Sequence, residues 1–327
     1  MLLQREKCNR KENVICEKSS TFAAMFTAMM TLFAIVVVGY TAGKLGYLDD
    51  DFDRHLSRLV INLTCPALIL SSAMTGKLPD RQFIIPLLLI SVVTYVVLTA
   101  IAFLLPRYLT SRKADEGTIG FALMFGNVGF MGYPVVASIF GHEAVFYAAV
   151  LNVVNTFAVF TIGTILITGK NEVEGGRFQK KVLYSTPMLA AYLTMLIVIL
   201  RIDSIWPWVS QTLTMIGNIT VPAALLIIGS SMSNLPIRSM LGNPTVYATT
   251  LFRLVLLPIG IYYLTTLLRF SDFVVNINTV VIAMPVATYG TILCLKYNKD
   301  TTMMTEVTFI TTLISMLTIP LLALFFL

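Results

Sequence analysis

Apolar stretches of near-spanning length alternate with short polar breaks along almost the whole chain of 327 residues. A transmembrane helix needs about 20 predominantly apolar residues to cross the hydrocarbon core of a bilayer. The pattern therefore predicts an all-α polytopic membrane protein with ten transmembrane helices. The predicted spans are residues 22–42, 54–75, 83–105, 117–140, 143–168, 184–201, 205–233, 245–268, 273–295 and 303–326.

Composition supports this reading and excludes several function classes. Only 12% of the residues are charged and 57% are hydrophobic, whereas a soluble domain has about 25% charged residues. The net charge of +6 does not indicate nucleic acid, because the basic residues fall in short loops between spans. The four cysteines form no CxxC pair, and the spans contain no HExxH or GxSxG motif. We expect no metal, no cofactor and no enzymatic activity.

The chain divides into four segments, and the charges of its loops predict how they are oriented. Residues 1–21 are a polar tail, 22–168 hold five spans, 169–183 form a hydrophilic linker, and 184–327 hold five more spans. With an outside N-terminus, the inner loops carry eleven Lys or Arg residues and the outer loops four, although the five basic residues of the tail favour the opposite sense. The positive-inside rule then predicts a cytoplasmic linker, both termini outside, and a location in the cell membrane.

Two sequence echoes indicate an internal duplication. Residues 62–67 and 218–223 share the pattern N-[LI]-T-x-P-A at an offset of 156, and Pro134-Val-Val-Ala resembles Pro285-Val-Ala at an offset of 151. Each half has five spans, an odd number, so the second copy must cross the membrane in the opposite sense. The sequence thus predicts two inverted five-helix repeats, an arrangement found in many secondary transporters.

The fourth and ninth spans contain residues that interrupt helices. Three glycines and one proline lie within 126–134, and 284–290 is the corresponding part of the ninth span. Glycine weakens a helix by about 1 kcal/mol and proline by about 3 kcal/mol. If both helices unwind, their exposed amide groups and positive dipole ends form an anion site near the midplane; the alternative is a pair of packed kinks. The candidate substrate-binding residues are Asn127, Gly129, Pro134, Asn152, Asn155, Arg253, Pro285, Thr288 and Tyr289.

Other polar residues within the spans allow two interpretations. The pairs Asn62 with Pro66 and Asn218 with Pro222 are scaffold-side candidates that either kink helices or bind them together. Asn152 and Asn155 lie on one helix face and either bridge helices or line a cavity. Arg253 either serves the anion or satisfies the carbonyl groups of a broken helix, and Glu306 is a candidate for ion coupling.

In these stretches the chain resembles the auxin efflux carrier family, which includes bacterial malate and malonate permeases and plant auxin exporters. The matching residues are 39–46, 59–70, 126–135, 140–143, 228–231, 283–285 and 315–320. The resemblance implies a scaffold of helices 1, 2, 6 and 7 and a mobile domain whose helices 4 and 9 cross at prolines. It also implies that Asn127 and the crossover at Pro134 and Pro285 hold a substrate carboxylate. The charged tail departs from the family pattern.

Together these observations predict a secondary transporter, an efflux carrier or permease, for a small organic anion. The alternative is a membrane receptor or channel module that binds a small ligand without carrier activity. The sequence leaves open whether H⁺ or Na⁺ is coupled, the direction of transport, and whether a homodimer forms through the scaffold helices.

Overall fold

The computed structural model describes residues 27, 30–74, 79–169, 184, 186–202, 206–233, 243–297 and 299–326. In these ranges the chain is helical and contains no β-strand. The helices are α1 (Met30–Lys44), α2 (50–71), α3 (Arg81–Leu104), α4 (Lys113–Met124), α5 (Val128–Phe140), α6 (Ala144–Thr168), α7 (Thr186–Leu200), α8 (Pro207–Ser230), α9 (Pro244–Leu267), α10 (Asp272–Ile282), α11 (Tyr289–Lys296) and α12 (Thr302–Phe326).

Within the described ranges, five helices are long and apolar enough to cross a membrane, namely α3, α6, α8, α9 and α12. They confirm the third, fifth, seventh, eighth and tenth predicted spans to within a few residues. Four shorter helices, α1, α5, α7 and α10, are also apolar. The polar tail and most of the linker lie outside the described residues.

Helix α2 begins earlier than the sequence predicted, at Asp50 rather than residue 54. The reason is local, because the Asp49 side chain accepts a hydrogen bond of 2.7 Å from the amide of Phe52 and so caps the first turn. The added turn contains charged residues. A search for apolar stretches therefore did not include it in the predicted span.

Several helices contain a wide π-helical turn, and most of these turns precede a proline. The segments Val60–Thr64, Val128–Gly132 and Phe252–Leu256 each end two residues before a proline. Proline has no N–H to bond to the carbonyl group one turn earlier, so the preceding turn widens. Such turns are frequent at functional sites. The prolines in question are Pro66, Pro134 and Pro258.

Close backbone packing joins α1 to α8. A Cβ atom at Gly39 would overlap the backbone carbonyl of Leu226, and one at Gly229 would overlap that of Val36. Small residues let membrane helices approach in this way when hydrophobic burial cannot drive their association. Helix α2 in turn packs against α7 and α8.

Candidate anion site at the helix crossing

Two helices are interrupted where they pass one another. Residues 125–127 separate α4 from α5, and residues 283–288 separate α10 from α11. The two unwound segments run antiparallel, with Gly126 opposite Val286. The structure therefore brings together the two breaks that glycine and proline marked in the sequence.

The two unwound segments form backbone hydrogen bonds with each other. The amide of Asn127 donates to the carbonyl of Pro285 over 2.7 Å, and the amide of Ala287 donates to the carbonyl of Phe125 over 3.0 Å. Unpaired backbone groups cost several kcal/mol each within a membrane. The crossing is thus a short two-bond ladder that allows both helices to break inside the protein.

The two prolines do not occupy equivalent positions. Pro285 lies in the unwound segment, and its carbonyl takes part in the ladder. Pro134 lies in α5, beyond the crossing, where it is buried and does not line the cavity. Because it follows the π-helical turn Val128–Gly132, it widens the start of α5 rather than forming the crossover.

Asn127 caps the helix that starts at the crossing. Its Oδ1 atom accepts a hydrogen bond of 3.3 Å from the amide of Phe130, and its carbonyl accepts from the amides of Met131 and Gly132. This use of Oδ1 leaves the Nδ2 group, for which the described residues provide no acceptor. Since Asn127 lines the cavity, it presents a side-chain donor there.

A cavity of about 450 Å³ adjoins the crossing. None of the described residues that line it carries a charge. A Cβ atom at Gly129 would meet nothing within 4 Å, so the backbone there faces open space. Six of the nine candidate substrate-binding residues line this cavity: Asn127, Gly129, Asn152, Asn155, Thr288 and Tyr289.

The apolar wall of the cavity was not predicted. It comes from the wide turns of α2 and α6, from the start of α7, and from α5 and α11; among its members are Val60, Ile61, Val159, Met188, Phe130, Phe160 and Leu293. A single apolar residue does not stand out in a chain that is apolar along most of its length, so the sequence does not show which ones line a cavity. The one available signal was Pro66, which lies two residues after the wide turn Val60–Thr64.

Arg253 lies behind the crossing and not in the cavity. Its side chain is fully buried, and it donates from Nε to the carbonyl of Met284 over 3.2 Å and from Nη1 to the carbonyl of Leu123 over 3.0 Å. Leu123 is in the last turn of α4, and Met284 follows the end of α10. One cation thus binds carbonyl groups at the negative ends of both broken helices.

Gly126 makes room for this arginine. A Cβ atom at residue 126 would overlap the Nη2 atom of Arg253 and lie 3.3 Å from Cβ of Met284. The Nη2 atom is buried and has no hydrogen-bond partner among the described residues. The guanidinium group is therefore held directly against the unwound backbone.

A line of hydrogen bonds runs from the interior to the cavity wall. The Tyr95 hydroxyl donates to Oδ1 of Asn155 over 2.7 Å, and Nδ2 of Asn155 donates to Oδ1 of Asn152 over 2.8 Å. Nδ2 of Asn152 then donates to the Tyr133 hydroxyl over 2.9 Å. Asn152 and Asn155 thus both bridge helices and line the cavity, and Tyr133, which was not predicted, is another lining residue.

The scaffold-side candidates do not line the cavity. Asn62 is exposed and donates to the carbonyl of Arg58 in its own helix over 2.9 Å. Pro66 is buried in α2, whereas Asn218 and Pro222 are exposed on α8.

Glu306, the candidate for ion coupling, also lies outside the cavity lining. It is mostly buried, and the amide of the Asn243 side chain donates to it over 3.5 Å. Because Asn243 caps the start of α9, this contact joins α12 to α9.

The first part of α6 is buried among the described residues. Residues 144–151 are all buried, whereas lining residues extend along α6 as far as Phe160. Nε2 of His142 lies 3.2 Å from Oγ of Ser71, which joins the loop before α6 to the end of α2. Partial burial lowers the pKa of His142, and the charge of Glu143 opposes this effect.

Comparison with known proteins identifies the family of this chain. A family model described as "Membrane transport protein" matches residues 24–182 and 175–323. The chain is 26% identical to an uncharacterized transporter of Methanothermobacter thermautotrophicus, over 92% of this chain and 98% of the relative. It is 24% identical to an uncharacterized transporter of Methanocaldococcus jannaschii, over 90% and 96%. The chain therefore belongs to the membrane transport protein family, the auxin efflux carrier family that its sequence resembles.

Proposed function

We propose that this protein is a secondary transporter that moves a small organic anion, a carboxylate, by alternating access. The observation that carries the proposal is the division of charge at the crossing. Arg253 binds carbonyl groups at the negative ends of α4 and α10, whereas the positive ends of α5 and α11 begin beside the cavity at Asn127 and Thr288. An anion is stabilised at such ends.

The cavity favours an anion with an apolar body. Its described lining offers amide and hydroxyl donors but no carboxylate that would bind a cation. Most of its wall is aliphatic or aromatic, so a substrate gains affinity from burying hydrocarbon while the carboxylate binds the Asn127 side chain and nearby backbone amides. A hydrogen bond to a charged group contributes about 1.5–3 kcal/mol.

For the architecture we propose ten transmembrane helices arranged as two inverted repeats. Helices α1, α2, α7 and α8 would form the scaffold, which agrees with the close packing of α1 on α8 and of α2 on α7 and α8. The remaining helices would form the mobile domain. The cavity is lined by the middle of α6 and by the start of α7, and α7 follows the 169–183 linker, which loop charge predicts to be cytoplasmic.

Transport in proteoliposomes tests the proposal. Purified protein is first screened by thermal shift against monocarboxylates and dicarboxylates, with and without Na⁺ and at two pH values. Uptake of the best stabilising acid should saturate and should be accelerated by the same acid preloaded inside. Saturable binding without uptake would favour a receptor, and uptake without counterflow a channel. Absence of both binding and uptake for all acids would refute the proposal.

A further inference from the structure

The polar line from Tyr95 to Tyr133 has a definite direction. Asparagine side chains can be placed with oxygen and nitrogen exchanged, so the bonds among Asn152, Asn155 and their neighbours allow two consistent patterns. In one pattern the donors point from Tyr95 towards the cavity. In the other, every bond is reversed and Tyr133 donates its proton inwards.

Arg253 decides between these patterns. Its guanidinium group is buried against Gly126, the buried ring of Tyr95 stacks on the preceding residue, Phe125, and the Nη2 group has no acceptor among the residues that the structure describes. A neighbouring cation attracts the hydroxyl oxygen of Tyr95 and repels the hydroxyl hydrogen. The hydrogen is then directed away, to Oδ1 of Asn155, which matches the side-chain placement in the structure. This orients each following group in turn. Each asparagine accepts a hydrogen bond at Oδ1 from the preceding group and donates one from Nδ2 to the next.

The line ends in unused donors at the cavity wall. The Tyr133 oxygen accepts from Asn152, so its own O–H remains, and it finds no acceptor within the described ranges. The second N–H of the Asn152 amide is also unassigned. Tyr133 is almost completely buried (1% exposed) yet lines the cavity, so a ligand group that accepts this proton would meet little competition from water.

The geometry points to a second subsite, made by the Tyr133 hydroxyl and the Asn152 amide, that takes an uncharged hydrogen-bond acceptor on the substrate. The inference rests on the proposed carboxylate function and extends it. The substrate class is a carboxylic acid with a keto or similar oxygen and an apolar body. A primary ammonium group fits this subsite poorly, because the groups left unused there, the Tyr133 O–H and the second Asn152 N–H, are donors.

Three acids of similar size test the inference: 3-methylbutanoate, 2-oxo-3-methylbutanoate and valine. They share a branched apolar body and a carboxylate, and they differ in the group beside it. Isothermal titration calorimetry on the purified protein should give the 2-oxo acid an affinity about two- to tenfold higher than that of 3-methylbutanoate, the effect of one uncharged hydrogen bond. Valine should bind at least about tenfold more weakly than the 2-oxo acid.

Tyr133→Phe keeps the ring and removes the donor. It should lower the affinity for the 2-oxo acid more than that for 3-methylbutanoate, so the preference becomes smaller while the Asn152 amide remains. Tyr262→Phe is the matched control, because Tyr262 packs on Phe326 away from the cavity and its removal should leave the preference intact. If Tyr133→Phe does not fold, the three affinities of the wild-type protein decide.

Equal affinities of the wild-type protein for the two acids, or an undiminished preference in Tyr133→Phe, would overturn the second subsite and leave the carboxylate function standing. Tight binding of valine would also overturn it. Failure of all three ligands to bind the wild-type protein would overturn this inference, whereas the carboxylate function itself is refuted only if the wider screen of acids also fails.

Discussion

Replacing Gly126 by alanine should destabilise the protein through Arg253. The added methyl group would overlap Nη2 of Arg253, and on the other side it would lie 3.3 Å from Cβ of Met284. The guanidinium group must therefore retreat by on the order of 1 Å to regain ordinary van der Waals contact. Its hydrogen bonds of 3.2 Å and 3.0 Å would then exceed the distance at which such bonds form.

The expected loss follows from those two bonds. A hydrogen bond from a charged donor contributes about 1.5–3 kcal/mol, so loss of one or both costs roughly 1.5–6 kcal/mol. The assay is thermal unfolding of the purified protein, together with its yield. Gly129→Ala is the control: its methyl group enters open space, so it should keep stability while reducing anion affinity at the cavity.

A double variant separates this mechanism from a general effect on the backbone. Arg253→Met removes the group that Gly126→Ala displaces, so the two substitutions should not add: the double variant should be little less stable than Arg253→Met alone. Wild-type stability of Gly126→Ala would refute the reasoning, as would additive losses in the double variant.

Three further predictions concern binding and topology. Asn127→Ala removes a donor to a charged group and should lower carboxylate affinity about ten- to a hundredfold, measured by calorimetry; unchanged affinity would remove Asn127 from the site. Pro285→Ala should allow the unwound segment to become more helical and abolish transport with little loss of expression, whereas Pro320→Ala near the end of α12 should transport almost normally; equal transport by both variants would contradict this. Single cysteines in 169–181 should resist an impermeant maleimide in intact cells, and labelling there would invert the proposed orientation.

The sequence predicted the helices well because the requirement for a spanning apolar length is local. It also located the breaks, since glycine and proline act on the backbone at their own positions. It misplaced Pro134 because a proline that widens a turn within a helix and one that lies in an unwound segment look alike. In the structure Pro134 follows a π-helical turn, whereas Pro285 carries a carbonyl of the ladder.

The partners of the buried polar groups could not be predicted. Arg253 binds the carbonyls of Leu123, 130 residues away in sequence, and Met284, 31 residues away, and a carbonyl group has no signature in sequence. Tyr95 meets Asn155 across 60 residues. Asn152 and Asn155 were recognised by their spacing along one helix, but the line they form depends on tyrosines from two other helices.

The ladder at the crossing also bears on how such a carrier could diverge. Its two hydrogen bonds join main-chain groups only, from Phe125 to Ala287 and from Asn127 to Pro285. Substitutions elsewhere in the cavity leave those groups in place, so the wall can mutate freely while the crossing persists. Residues such as Phe130, whose side chain lines the wall, would then set which substrate body fits. Carriers that descend from one ancestor could therefore bind different substrates, such as nutrients, hormones or waste products, after a few side-chain substitutions. The binding site itself would not have to form anew.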